Sequence, residues 1–174
     1  MNLERLIELY RTSLAVDVYG LVKALDLSVV ERELEEDVSG VIEPFESSFR
    51  ITLNRHDHSF RKRFTLAHEL GHWLYHSHLI GSGLGDNRLY HSSNIERFYN
   101  SSIHRRHENQ ANAFAAWLLI PANKLESDLK GFRGNPDWSY LSERYQISSA
   151  ALKKKSRQLQ RTSTRERMIQ AYQK

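Results

Sequence analysis

Phe60-Arg-Lys-Arg-Phe-Thr-Leu-Ala-His-Glu-Leu-Gly-His-Trp-Leu-Tyr75 is the stretch around which the rest of the chain can be organised. It contains no proline, and Phe64, Ala67, Leu70 and Leu74 recur at the spacing of one helical face. Ser59 is the expected N-cap. Residues four apart on a helix lie one above the other, so His68 and His72 share a face and two neutral imidazoles can hold one metal ion. Glu69 follows the first ligand and, in an H-E-x-x-H arrangement, faces a metal-bound water as general base. A bare match of this kind has an expected frequency of roughly 0.04 in a chain of this composition, so the surrounding helix carries part of the argument. Gly71 costs up to about 1 kcal/mol in a helix interior and calls for close approach of another backbone or of substrate.

A catalytic zinc takes three protein ligands and keeps one position open. His78 stands ten residues after His68, where an extended H-E-x-x-H-x-x-G-x-x-H pattern would place a third histidine, but Tyr75 replaces the turn glycine. His76 continues the i, i+4, i+8 row a further turn from the site. Both histidines are expected at the surface or on the substrate side. The alternative is a carboxylate on a second helix. IHRRHENQANAFAAWLL, residues 103–119, has no Gly or Pro, can be capped by Ser101 or Ser102, and is stopped by Pro121. Glu108 and Asn112 form an i, i+4 pair beside the apolar stripe of Ala111, Phe114, Ala115, Leu118 and Leu119. A carboxylate there is costly to bury without a cation, and Asn112 can orient a ligand histidine from behind. Glu96, in SSNIERFYN, lacks an apolar helical face, so Glu108 is the expected third ligand.

RFTLAHELGHWL, followed by ENQANAFAAWLLIP, resembles the ImmA/IrrE family of metallo-endopeptidases, with weaker similarity upstream through SGVIEP and FRITLN. The resemblance spans about residues 10–122, with Ile120 where methionine is common and a longer, more polar connection over 79–103. It implies a zincin-like core, zinc on His68, His72 and Glu108, and Glu69 as catalytic base. It also implies a narrow protein substrate, a transcriptional repressor of the Xre type, in a phage, mobile element or stress-response setting.

Composition sets the remaining bounds. A chain of 174 residues with 40% hydrophobic and 10% aromatic residues suits one core, and no apolar run is long enough to span a membrane. Zero cysteines exclude disulfides and thiolate ligands. The N-terminus MNLERLIELYR carries acids early, unlike a signal peptide, and the expected location is the cytoplasm. All nine histidines fall between His56 and His107. From Gln146 onward there are eight Lys/Arg against Glu166 alone, a net of +7, so the overall +4 belongs to the C-terminal end.

The expected fold is α+β: a mainly helical core with a small three-stranded sheet over residues 1–130, then a C-terminal helix-turn-helix-like helical pair over 131–174. Residues 2–27 are read as helix broken near Gly20. Residues 27–34, 39–43 and 49–54 are read as strands, with Phe49–Asn54 an edge strand that either aligns substrate by β-augmentation or is plainly structural. Residues 79–102 are read as a loop, with Tyr90, His91, Tyr99 and His104 as candidate oxyanion donors. Arg61-Lys62-Arg63 opposes the helix dipole and should pair with acids of the sheet or face solvent. Beyond Pro121 come a short helix, an Asp137 N-cap, helices over 138–145 and 148–159, and a frayed or disordered end over 160–174. Lys153, Lys154, Lys155 and Arg157 make nucleic-acid contact conceivable, though an α-hairpin packed on the core is preferred.

The function that follows is a gluzincin-like zinc endopeptidase. Its rival is a non-catalytic regulatory or toxin–antitoxin binding protein on the same scaffold, contacting DNA through the basic C-terminal helices. Substrate-binding residues and oligomeric state are not legible.

Overall fold

The computed structural model describes residues 2–80, 89–92 and 105–172. Its central element is helix α3, Ser59–His76. The cap is His58 rather than Ser59: the His58 Nδ1 accepts from the Phe60 amide at 3.2 Å, and Ser59 becomes the first helical residue. Leu66, Ala67 and Leu70 are fully buried on the inner face of α3. Its first turn carries three consecutive cations against the dipole, and each is tied to a different neighbour. Lys62 reaches Glu31 at 2.6 Å, Arg61 donates to Ser39 Oγ at 2.8 Å and lies 3.3 Å from Asp57, and Arg63 donates to the Val16 carbonyl at 2.7 Å.

Helix α4, Arg105–Leu119, packs along α3, burying Ala111, Phe114, Ala115, Leu118 and Leu119. Gly71 explains how closely. A Cβ there would lie 3.1 Å from Ala111 Cα and 3.3 Å from the Ala111 carbonyl oxygen. The expected close approach is therefore that of the α4 backbone. Residues 101–104, including the suggested Ser caps, lie outside the described residues.

Three strands precede α3: β1 (Ser28–Arg32), β2 (Val38–Phe45) and β3 (Ser48–Asn54). A fourth, β4 (Leu89–Ser92), lies within the segment read as a loop, and the order is β1-β3-β2-β4. β1 runs parallel to β3, while β2 is antiparallel to both β3 and β4. Phe49–Asn54 is consequently not an edge strand. Both of its sides are hydrogen-bonded, so it has no open ladder for a substrate strand. Among the described residues, the outer strands of this sheet are β1 and β4. One face of β2 rests on α3: a Cβ on Gly40 would fall 2.4 Å from Thr65 Cγ2.

The N-terminal break lies earlier than Gly20. Helix α1 spans Leu3–Tyr10 and α2 spans Val18–Ala24, so residues 11–17 form the connection. Gly20 sits inside α2 because the capping carboxylate of Asp17 accepts its amide at 2.9 Å, and a Cβ would lie 2.2 Å from Asp17 Oδ2.

Past Pro121 come α5 (Ala122–Lys130), α6 (Trp138–Tyr145) and α7 (Ser149–Tyr172). Asp137 caps α6, accepting from the Ser139 and Tyr140 amides at 3.0 Å. Gln146 ends it in the left-handed region, φ 52°. α7 continues well beyond Leu159, since no Gly or Pro stops it. On α5, Asp128 accepts from Tyr145 Oη at 2.9 Å and from Arg144 Nε at 3.1 Å. Leu141, Tyr145, Ile147 and Leu152 join the same buried cluster as Leu66, Leu70 and Leu118. Lys153 lies over the Trp138 ring, 5.8 Å from its centroid, and Lys155 is half-buried. Among the described residues no helix is long and apolar enough to cross a membrane.

Candidate metal centre

α3 brings His68 and His72 to one face on successive turns, and α4 brings Glu108 opposite them. The two Nε2 atoms are 3.1 Å apart. Glu108 Oε2 lies 3.4 Å from His68 Nε2, and Glu108 Oε1 lies 3.4 Å from His72 Nε2. A tetrahedral ion bound at about 2.0–2.1 Å, the distance zinc keeps to imidazole, has ligand–ligand edges of about 3.3 Å. Each Glu108 oxygen thus faces a different imidazole nitrogen at close to that edge length, and one donor atom from each residue lies within 4.8 Å of the others.

Proton placement points the same way. His68 Nδ1 is 3.2 Å from Asn112 Oδ1, an acceptor, so Nδ1 carries the proton and Nε2 keeps its lone pair. Two imidazole nitrogens and a carboxylate then converge, an arrangement that a cation stabilises. Among the described residues this is a group able to hold a metal ion. The site is also secluded: His72 and Glu69 are fully buried and His68 is 6% exposed.

Glu69, one residue past His68 and so rotated about 100° around the helix, points toward β2. A Cβ on Gly40 would stand 3.4 Å from its Oε1. Burial first, and then the neighbouring Glu108 charge, push the Glu69 carboxyl well above the usual carboxylate range. A divalent cation held by His68, His72 and Glu108 acts in the opposite direction, favouring the ionised base.

The family model for the IrrE N-terminal-like peptidase domain matches residues 22–157. The chain belongs to this metallopeptidase family. A search of curated proteins finds no match. The match extends the resemblance seen in the HELGH and ENQAN blocks through α6 and into α7. The family membership agrees with the group of His68, His72 and Glu108, able to hold a metal ion, that the packing of α3 on α4 brings together.

Within this IrrE N-terminal-like domain, His68, Glu69, His72, Glu108 and Asn112 are all brought together as the sequence suggests. His76 departs from expectation. It is 3% exposed rather than at the surface, because the i, i+4, i+8 row runs along the face covered by α4. Its Nδ1 is 3.1 Å from His72 Nδ1, and its Nε2 is 3.2 Å from Gln110 Oε1. The His107 ring lies over it at 4.7 Å between centroids. Burial holds the His76 pKa below the ordinary histidine value, opposed by the Gln110 hydrogen bond. The signal in the sequence was the row itself; Gln110 gave none, being one polar residue on a helix rich in them. His78 is exposed in the 3₁₀ turn Ser77–Leu79. Glu96, Tyr99 and His104 lie outside the described residues, while Tyr90 and His91 belong to β4, with His91 opposite Gly40 in the register.

Proposed function

We propose that this chain is a zinc-dependent endopeptidase of the gluzincin-like type, with Glu69 as general base and His68, His72 and Glu108 as ligands. The observation that carries the proposal is the convergence of two imidazole nitrogens 3.1 Å apart with the two oxygens of one carboxylate, each 3.4 Å from one of them, beside a fully buried glutamate. A zinc ion held there would supply Lewis acidity, polarising a peptide carbonyl and acidifying a water.

The protein's own groups perform the proton transfers. Glu69 accepts a proton from the attacking water as the new C–O bond forms, then delivers it to the departing amide nitrogen as the C–N bond breaks. Its fully buried setting keeps bulk water from taking the proton. Asn112 holds the His68 ring by accepting a hydrogen bond from its Nδ1–H. Gly40 lets β2 pass close over α3 beside Glu69, since a Cβ there would fall 2.4 Å from Thr65 Cγ2.

The substrate we infer is a protein partner, a transcriptional repressor of the Xre type, a reading supported by the family resemblance of the HELGH and ENQAN blocks. β4, an outer strand of the sheet among the described residues, is the strand along which an extended substrate would add, in place of the central β3. The test is Glu69→Gln, with metal content and cleavage of a candidate repressor measured together. The expected result is wild-type metal content with cleavage lost; retained turnover would refute the assignment of the base.

A further inference from the structure

We infer that His76 and Gln110 form a relay that fixes the tautomer and orientation of His72, making His76 a positioning residue for the metal centre. The inference rests on the metal reading above and extends it to residues outside the ligand set. The two ligand histidines are supported differently. His68 Nδ1 meets the Asn112 amide oxygen directly. His72 Nδ1 meets a second imidazole, His76 Nδ1 at 3.1 Å, and only beyond it an amide oxygen, Gln110 Oε1, at 3.2 Å from His76 Nε2.

The chain of protons has one consistent reading. Gln110 Oε1 can only accept, so His76 Nε2 carries the proton. Neutral His76 then has a bare Nδ1, which accepts from His72 Nδ1–H. That leaves His72 Nε2 with its lone pair turned toward Glu108 and His68. The opposite order would place a proton on His72 Nε2, pointing into the donor group and blocking it. Rotation of the His72 ring is opposed by the same bond. Both rings are almost wholly buried, so water does not offer a substitute partner. The His107 ring packs against His76 with centroids 4.7 Å apart and planes tilted by 44°.

Asparagine and phenylalanine separate hydrogen bonding from packing at this position. Asn Oδ1 stands the same two bonds from Cβ as His Nδ1 and can accept from His72. Phe fills the ring volume and accepts nothing. The experiment measures Zn²⁺ affinity of the purified full chain by competition with a chelator of known affinity, for wild type, His76→Asn, His76→Phe and Gln110→Leu. Visible absorption of the Co²⁺-loaded forms reports ligand geometry, and circular dichroism of the apo forms reports folding.

Loss of an outer partner of this kind costs about 10–100-fold in metal affinity. His76→Phe is expected to lose that much and to alter the Co²⁺ spectrum, while His76→Asn stays within about threefold of wild type. Gln110→Leu should weaken binding by less than His76→Phe, since His76 keeps its contact with His72. Wild-type affinity in His76→Phe would overturn the inference. So would equal losses in the Asn and Phe variants with apo folding intact, because the acceptor atom would then be irrelevant. If wild type itself takes up no Zn²⁺ or Co²⁺, the metal reading fails first, an outcome distinct from either of these.

Discussion

Replacing Gly71 with alanine tests whether the spacing of the metal ligands is set by helix packing. Two effects oppose one another. In an isolated helix the change is worth up to about 1 kcal/mol in favour of alanine. Here the new methyl would sit 3.1 Å from Ala111 Cα, 3.2 Å from Phe114 Cδ1 and 3.3 Å from the Ala111 carbonyl oxygen. Phe114 can turn aside, but two of the three contacts are with α4 backbone, which must retreat by a few tenths of an ångström. Overpacking of this sort costs about 1–3 kcal/mol. The net expectation is a loss of about 0–2 kcal/mol, or a Tm lower by up to about 8 °C for a chain of this length. Glu108 rides on the same helix one turn away, so a displaced α4 also lengthens the 3.4 Å separations to His68 and His72. Zinc affinity should therefore fall even where the fold survives. The assay is thermal unfolding of the apo protein in excess chelator, paired with zinc competition at 25 °C. A variant stabilised by the full helix propensity, binding zinc as tightly as wild type, would refute the argument that Gly71 sets the distance.

Further outcomes can be checked directly. Wild-type protein should carry about one zinc per chain by elemental mass spectrometry and Glu108→Gln much less, because the site then has two neutral ligands and no charge; equal content would remove Glu108 from the ligand set. Tyr145→Phe removes the donor to Asp128 in the packed C-terminal helices and should cost about 1–2 kcal/mol by chemical denaturation, with no effect on zinc content; an unchanged midpoint would show the bond to be dispensable. Lys62→Met removes a partly exposed ion pair with Glu31 and should cost less than about 1 kcal/mol at low salt and close to nothing near 1 M salt, and a cost insensitive to salt would point to packing of the lysine stem instead.

The parts of the structure legible in the sequence are those written in local spacing. The α3 period, the i, i+4 pairs His68/His72 and Glu108/Asn112, the stop at Pro121 and the Asp137 cap are each contained within a few residues. What failed depends on partners distant in the chain. Phe49–Asn54 alternates as a half-buried edge strand would, but its neighbours β1 and β2 are chosen by tertiary packing, which places it in the middle. β4 is four residues long and surrounded by Gly, Ser and Asn, too short to show a period. His76 repeats the spacing of the ligands, yet whether an i+8 residue meets solvent or another helix depends on where α4 lies. Gln146 adopts the left-handed conformation with no glycine to announce it.

The three cations that open α3 give that helix a mechanical asymmetry. Its first turn is fastened by charges, Lys62 to β1, Arg61 to Asp57, and Arg63 to the carbonyl that precedes α2. Its middle is fastened by the uncharged contact of Gly71 with α4. Ionic strength acts on the first fastening and leaves the second untouched. Concentrated salt would therefore loosen the helix where it leaves the sheet, while the histidines, seated next to Gly71, keep their places.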